Sequence, residues 1–262
     1  MSYFDEATET LPRDKLAALQ LGKLQAMMNE LWGRNGFYTA KWKAAGVTPG
    51  DIRSMDDLAK LPFTKKGELM DDQAAHGPFG TNLTYPVEAY VRLHQTSGTT
   101  GVPLKVMDTH ESWDWWGRCW GHVLAGAGVT ASDRLFMAFA FGPFIGFWAA
   151  VEGARKIGAV MIPGGGRDSQ QRLELMREAG ATVLCCTPSY ALRLAEVATE
   201  LGFDLARIPM RATVHAGEPG ASIPATKQRI ENAWAAQCFD HAGASEVGAH
   251  SFECHKHPGG TH

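Results

Sequence analysis

The sequence shows no marked excess of either charge. Its 262 residues carry 25 Lys and Arg against 28 Asp and Glu, a formal net charge of -3. That balance gives no electrostatic footprint for nucleic acid and no basic run suited to a membrane surface. No uninterrupted apolar run reaches the roughly 18–20 residues a spanning helix needs. Residues 1–14 are acidic and polar, unlike a secretory leader. Cysteine is sparse: Cys119, Cys185, Cys186, Cys238 and Cys254 form no CxxC pair, and an odd count suits buried thiols in a reducing compartment. A cytoplasmic protein without nucleic-acid or membrane partners is the expectation. A Walker A loop is also missing. The nucleophile-elbow pattern fails at Val247, where a glycine is required, which disfavours a hydrolase.

The composition that remains, 45% hydrophobic and 20% charged, is enough for one large α/β domain or two smaller ones. Up to about residue 90 the pattern is helical. Leu16, Leu19, Leu24, Met27, Met28 and Leu31 fall near one helical face, and Pro62-Phe63-Thr64-Lys65-Lys66 breaks a later short helix. From residue 91 onward an α/β region is expected. Apolar runs at Leu135–Phe141, Ala159–Ile162, Thr182–Thr187, Ala212–His215 and Gln237–Asp240 alternate with amphipathic stretches at Gly146–Ile157, Ser169–Ala179, Ser189–Leu201 and Ile223–Trp234. That alternation predicts βαβ crossovers and a mostly parallel sheet with flanking helices. In such a sheet the strand C-termini share one edge, where ligands bind. The loops Gly142-Pro143-Phe144, Pro163-Gly164-Gly165-Gly166, Pro188-Ser189-Tyr190, Gly217-Glu218-Pro219 and Gly243-Ala244-Ser245-Glu246 are therefore expected to converge.

Three stretches could carry chemistry. In Thr96-Ser97-Gly98-Thr99-Thr100-Gly101, hydroxyls interleave with glycines, whose backbone N–H groups can turn toward an anion. The same composition also suits a surface linker. In Asp240-His241-Ala242-Gly243-Ala244-Ser245-Glu246, a carboxylate just past a strand end could hold Mg2+ against phosphates, and Glu246 is the candidate. Cys254-His255-Lys256-His257 with His262 offers zinc-ligand types at no standard spacing and reads more readily as an exposed tail. Gly126-Ala127-Gly128-Val129-Thr130-Ala131 mimics a dinucleotide fingerprint, but an aromatic-rich helix, Trp113 to Leu124, precedes it where a strand is needed. The tryptophans of that helix suit a core better than a base-stacking platform.

Taken in order, these motifs resemble the adenylate-forming enzymes, in particular their phenylacetate–CoA ligase branch. The Thr96–Gly101 loop is similar to the family's phosphate-binding signature. The segments Pro62–Lys66, Thr187–Tyr190, Ala216–Pro219 and Gly243–Glu246 look like its successive landmarks, and the likeness runs from about Leu11 to His262. The resemblance implies an acid–thiol ligase. A small carboxylic acid attacks the α-phosphate of Mg·ATP, releasing pyrophosphate and giving an acyl-adenylate, from which the coenzyme A thiol then displaces AMP. It also implies residue roles. Thr96, Ser97, Gly98, Thr99, Thr100 and Gly101 wrap phosphates, Glu246 holds Mg2+, and Ser245 lies near the α-phosphate. Gly217, Glu218 and Pro219 border the adenine and Ala242 falls at its stacking position, while Phe141, Gly142, Phe144, Phe147, Trp148 and the Gly243 loop border the acyl pocket. Cys254 and His262 resemble a Cys and a His of this branch that a later C-x-C could complete as a Zn2+ site. A homodimer is compatible with the resemblance.

The departures from the family pattern are specific. Ala242 stands where relatives usually place an adenine-stacking Tyr, and Leu104 where Lys or Thr is common. Phe147 replaces a usual Gly, which suggests a small or branched acid such as 2-hydroxyisobutyrate, with His215 or His241 bonding its hydroxyl. The family's ribose-binding Asp and its C-terminal catalytic Lys fall outside these residues, so weak nucleotide binding and little turnover are expected of the chain alone. Competing readings are a non-catalytic nucleotide- or acyl-binding module and a zinc-stabilised interaction domain.

Overall fold

The computed structural model describes residues 3–96, 98 and 101–262. They divide into two compact units: Asp5–His110, and Glu111–His262 together with Tyr3 and Phe4. No helix among the described residues is long and apolar enough to cross a membrane.

The first unit holds helices α1 (Glu6–Glu9), α2 (Arg13–Leu31), α3 (Gly36–Ala44) and α4 (Lys66–Ala75), then an antiparallel ribbon of β1 (Tyr90–Gln95) and β2 (Lys105–Thr109). Asn35 starts α3 by accepting from the Tyr38 N–H at 2.9 Å, which satisfies an otherwise orphaned donor. The core gathers Met28, Trp42, Val47 and Ile52, with the Trp32 and Trp42 rings stacked 6.4 Å apart. The Gln73 amide of α4 binds both backbone groups of Lys105, donating to its carbonyl at 2.6 Å and accepting from its N–H at 3.0 Å. This tethers the ribbon to the helices of its own unit.

The second unit begins with α5 (His110–Gly126). It continues through β3 (Arg134–Met137), α6 (Trp148–Ile157), β4 (Val160–Pro163), α7 (Ser169–Glu178), β5 (Val183–Cys186), α8 (Pro188–Glu200), β6 (Ala212–His215), α9 (Pro224–Trp234), β7 (Gln237–Ala244), β8 (Gly248–Cys254) and β9 (His257–Thr261). The sheet order is β4-β3-β5-β6-β7-β8-β9, parallel from β4 through β7 and antiparallel beyond. The expected α/β architecture with a mostly parallel sheet is present. Its strands alternate between two cores. Leu184 and Cys186 face Leu173, Leu194 and Ile230 from α7, α8 and α9, while Val183 and Cys185 face Trp116, Trp120 and Ala150 from α5 and α6. Burial on both faces is why these runs are continuously apolar. Burial also pushes the Cys185 thiol up to about 12, so it stays protonated.

Two differences from the sequence pattern matter. First, β7 does not stop at Asp240. It runs on to Ala244 because β8 returns beside it, pairing Ala242 with Ser251 and Ala244 with Gly248. Second, the His-rich segment after Cys254 is the edge strand β9, closed by reciprocal backbone bonds between Phe252 and His262 at 3.1 and 2.8 Å. Within α5, Trp113, Trp116 and Trp120 are buried as expected, while Trp115 is half exposed.

Small residues set how closely α5 and α6 cross. A Cβ on Gly153 would lie 2.6 Å from Trp120 Cβ and 2.8 Å from its carbonyl carbon, a clash with backbone that cannot rotate away. G153A is therefore expected to lower stability by about 1–3 kcal/mol, read from urea denaturation.

At the opposite edge from the strand C-termini, Asp133 binds three segments. It accepts from Arg211 Nε at 2.8 Å, Thr182 Oγ1 at 2.8 Å and the Thr130 N–H at 2.8 Å. Burial pushes its carboxyl upward, but these hydrogen bonds and the Arg211 charge outweigh that and hold it at about 2. A depressed carboxyl stabilises the fold above its unfolded value near 3.8 and loses that contribution as pH falls toward 2. D133N is expected to cost about 1–3 kcal/mol at neutral pH, and the gap from wild type should narrow from pH 4 to pH 2 in denaturant titrations.

Candidate functional site

The parallel register brings the ends of β5, β6 and β7 level, since Cys186 pairs with His215 and His215 with Asp240. The loops that leave these strands meet at one rim. Thr187 caps α8 by accepting from the Tyr190 N–H, and Pro188 occupies the first turn, where a missing N–H costs nothing. Ser189 N–H donates to Glu218 Oε1 at 2.8 Å, so the loop after β6 reaches across to the helix N-terminus after β5. A carboxylate there is favoured by the helix dipole. Gly217 has φ +94, a left-handed conformation that glycine adopts without strain. A Cβ on Gly220 would stand 2.7 Å from Pro188 Cβ, so this position too requires close approach.

On the other side of the rim, β3 runs into an aromatic loop. Phe141 adopts φ +54, unusual for a large side chain. Its ring meets Phe139 at 5.3 Å and Trp148 at 4.9 Å, and Trp148 Nε1 donates to the Gly142 carbonyl at 3.0 Å. Phe144 is exposed. Phe147 is buried in the core and packs on Trp120 at 5.7 Å and Phe139 at 5.9 Å.

Gly243 and Ala244 belong to β7, and Ser245 and Glu246 form the turn into β8, with the Val247 N–H bonded to the Ala244 carbonyl at 3.1 Å. Both turn side chains are half-buried. The turn is anchored from below. Glu253 of β8 receives Lys227 Nζ from α9 at 2.6 and 2.7 Å and the Asp240 N–H at 3.1 Å. Burial raises the Asp240 carboxyl above the usual carboxylate range, against a hydrogen bond from Ser222.

The two rim histidines differ. His215 is fully buried, with Nε2 2.8 Å from Thr213 Oγ1 and Nδ1 3.1 Å from the Cys186 carbonyl, so both nitrogens are occupied. His241 is buried with neither ring nitrogen bonded, and its ring stacks on Trp120 at 4.4 Å. Burial lowers both imidazoles to about 4.

In the first unit, the expected phosphate loop is closed at its base. Thr96 Oγ1 accepts from the Leu104 N–H at 3.1 Å, and the Thr96 N–H donates to the Leu104 carbonyl at 3.0 Å. Gly98 (φ +64) and Gly101 (φ +120) supply the left-handed turns, with the Gly101 N–H on the Gly98 carbonyl at 2.8 Å. Ser97, Thr99 and Thr100 lie outside the described residues. Cys254 Sγ is 3.1 Å from His262 Nε2, and no group of three or more His, Cys, Asp or Glu is gathered for a metal ion among the described residues. Sequence reasoning places Ser189 in a rim loop and Trp120 in a core helix, but not the Ser189 N–H on Glu218 or the Trp120 ring on His241, because both partners come from distant segments.

No family model matches the sequence. The phenylacetate-coenzyme A ligase of Escherichia coli (strain K12) is 35% identical over 240 residues, covering 91% of this chain and 53% of that protein. Its counterpart in Thermus thermophilus is 32% identical over 239 residues, covering 91% and 52%. Among solved structures, 2-hydroxyisobutyryl-CoA ligase in complex with 2-HIB-AMP and CoA in the thioesterification state matches with a TM-score of 0.91 at 31% identity, over 96% of this chain and 54% of that one. The same ligase in an open conformation matches with a TM-score of 0.88 at 30% identity, over 94% of this chain and 58% of that one. The chain spans about half the length of the relatives it matches. Over that half, its sequence and fold are similar to those of phenylacetate–CoA ligases and 2-hydroxyisobutyryl-CoA ligase.

Proposed function

We propose that this chain carries the nucleotide- and acyl-binding part of an ATP-dependent carboxylate–CoA ligase that works through an acyl-adenylate. The observation that carries the reading is the rim. The loops at Thr187–Tyr190 and Ala216–Pro219 leave neighbouring parallel strands at one edge, and β7 runs on past that edge to the turn at Ser245 and Glu246. They do so in a fold matched over nearly its whole length by an enzyme captured with an acyl-adenylate and CoA.

In this reading the Gly217–Pro219 loop borders the adenine, and its positive-φ glycine lets the backbone approach a flat ring. Ala242 leaves that ring without an aromatic partner from β7. Glu246 would hold Mg2+. That ion usually takes one or two protein carboxylates and completes its shell with phosphate oxygens and water, so a single half-buried carboxylate in a turn fits it. When bound, Mg2+ neutralises charge on the phosphates. Ser245 adds a hydroxyl donor beside the same turn. The chain's own contribution is orientation and charge stabilisation, with no covalent nucleophile required. The buried, protonated Cys185 is consistent with that.

The acyl group would lie against Phe141, Gly142 and Trp148. Phe147 fills the core beside Trp120, and a small or branched acid is the proposed substrate. Cys254 and His262 present two zinc-ligand types, half of a tetrahedral set, and no part of the reaction depends on them.

The test is acid-dependent release of AMP and pyrophosphate from Mg·ATP by the complete product of the reading frame, with coenzyme A present, across short, hydroxylated and aryl acids. E246Q is expected to lower the adenylation rate at saturating ATP by about 100-fold or more. Acid-independent nucleotide turnover, or an unchanged rate in E246Q, would sink the reading.

A further inference from the structure

His241 occupies an unusual position. It is the residue immediately beyond the last parallel pair, His215 with Asp240, so it stands at the rim where the proposed ligands bind. Its ring lies flat against Trp120, 4.4 Å between centroids and 24° between planes, and Trp120 in turn meets Phe147. Across the ladder it pairs with Phe252, and a Cβ on Gly243 would come within 3.1 Å of its Cε1. Apart from the His250 imidazole the surroundings are apolar, yet the residue is only 8% exposed, with both ring nitrogens closed to solvent and without a hydrogen-bond partner among the described residues.

Each unsatisfied buried polar group costs free energy that an apolar ring of the same shape would not. A phenylalanine would fill this place between Trp120 and Gly243 without that cost. His215, one strand away on the same rim, shows the ordinary solution, with both nitrogens bonded to Thr213 and Cys186. An imidazole with no internal partner, placed at the ligand edge, is therefore matched to a partner that arrives with the ligand.

We infer that His241 is a specificity residue that recognises a hydroxyl carried by the acyl substrate close to its carboxyl group. The inference rests on the ligase reading above. Burial keeps the imidazole neutral, lowered to about 4, so one nitrogen donates and the other accepts. A hydroxyl can do both and matches either tautomer. An unsubstituted alkyl or aryl acid can do neither and would leave the nitrogens orphaned in the complex. The Trp120 and Phe147 rings supply an apolar wall for the remaining carbons. With the aromatic side chains placed as described, the ring nitrogens are covered, so the ligand would reach them by displacing part of that wall.

The test uses non-hydrolysable acyl-sulfamoyl adenosines in calorimetric titration of the complete product of the reading frame. Three acyl groups are compared: 2-hydroxyisobutyryl, 3-hydroxyisobutyryl and pivaloyl, the last replacing the 2-hydroxyl by a methyl of similar size. At least one hydroxylated analogue is expected to bind about tenfold or more tighter than the pivaloyl one. H241F is expected to bring that ratio close to one. Equal binding of all three by the wild-type protein, or a ratio that H241F leaves intact, overturns the inference while the ligase reading stands. Failure to bind any analogue overturns both. Should H241F not fold, the wild-type ratio decides the matter.

Discussion

Parallel pairing is the constraint on which the second unit depends. A strand that ends at one edge cannot turn directly into a parallel neighbour, so each connection must cross back over a face as a helix. Four such crossovers, α6, α7, α8 and α9, deliver the ends of β3, β4, β5, β6 and β7 to a common edge. The chemistry-bearing loops are gathered there because no other edge is available to them. The same pairing explains why the strands read as unbroken apolar runs, since both faces are covered by helices.

Holding the rim in place falls to a small set of buried polar contacts. Asp133 ties the strand starts together through Arg211, Thr182 and the backbone of Thr130. Glu253 does the equivalent work where the sheet changes from parallel to antiparallel. Its carboxylate joins Lys227 of α9 to the backbone of β7 and accepts from the Gly259 N–H of β9. A buried carboxylate with this many donors is satisfied rather than strained.

Several features could be read directly from the residues. The strand Ala212–His215 has the bounds its apolar run suggests, and α9 begins one residue inside the expected start, at Pro224, a residue suited to a first helical turn. The order of the rim loops follows from Gly, Pro and hydroxyl residues recurring after each apolar run. The continuation of β7 through Gly243 and Ala244 is different. Glycine and alanine have little strand preference of their own, and only the returning β8 makes them strand. The same holds for β9, whose His-Pro-Gly-Gly-Thr composition suggests an open tail. The β1–β2 ribbon likewise depends on contacts far apart in sequence, among them the Gln73 amide on Lys105.

The roles of the two rim histidines separate in the same way. By sequence, His215 and His241 are equivalent candidates for meeting a hydroxyl. Their hydrogen-bond partners come from different strands and helices: Thr213 and Cys186 for one, none among the described residues for the other, with Trp120 of α5 covering its face. The order of apolar runs and turn residues, set by local periodicity and backbone chemistry, determined the α/β class, the parallel sheet and the family likeness. Which polar side chains are satisfied, and which are left without a partner among the described residues, was decided only by tertiary packing, because burial and many of the partners come from segments that local sequence does not bring together.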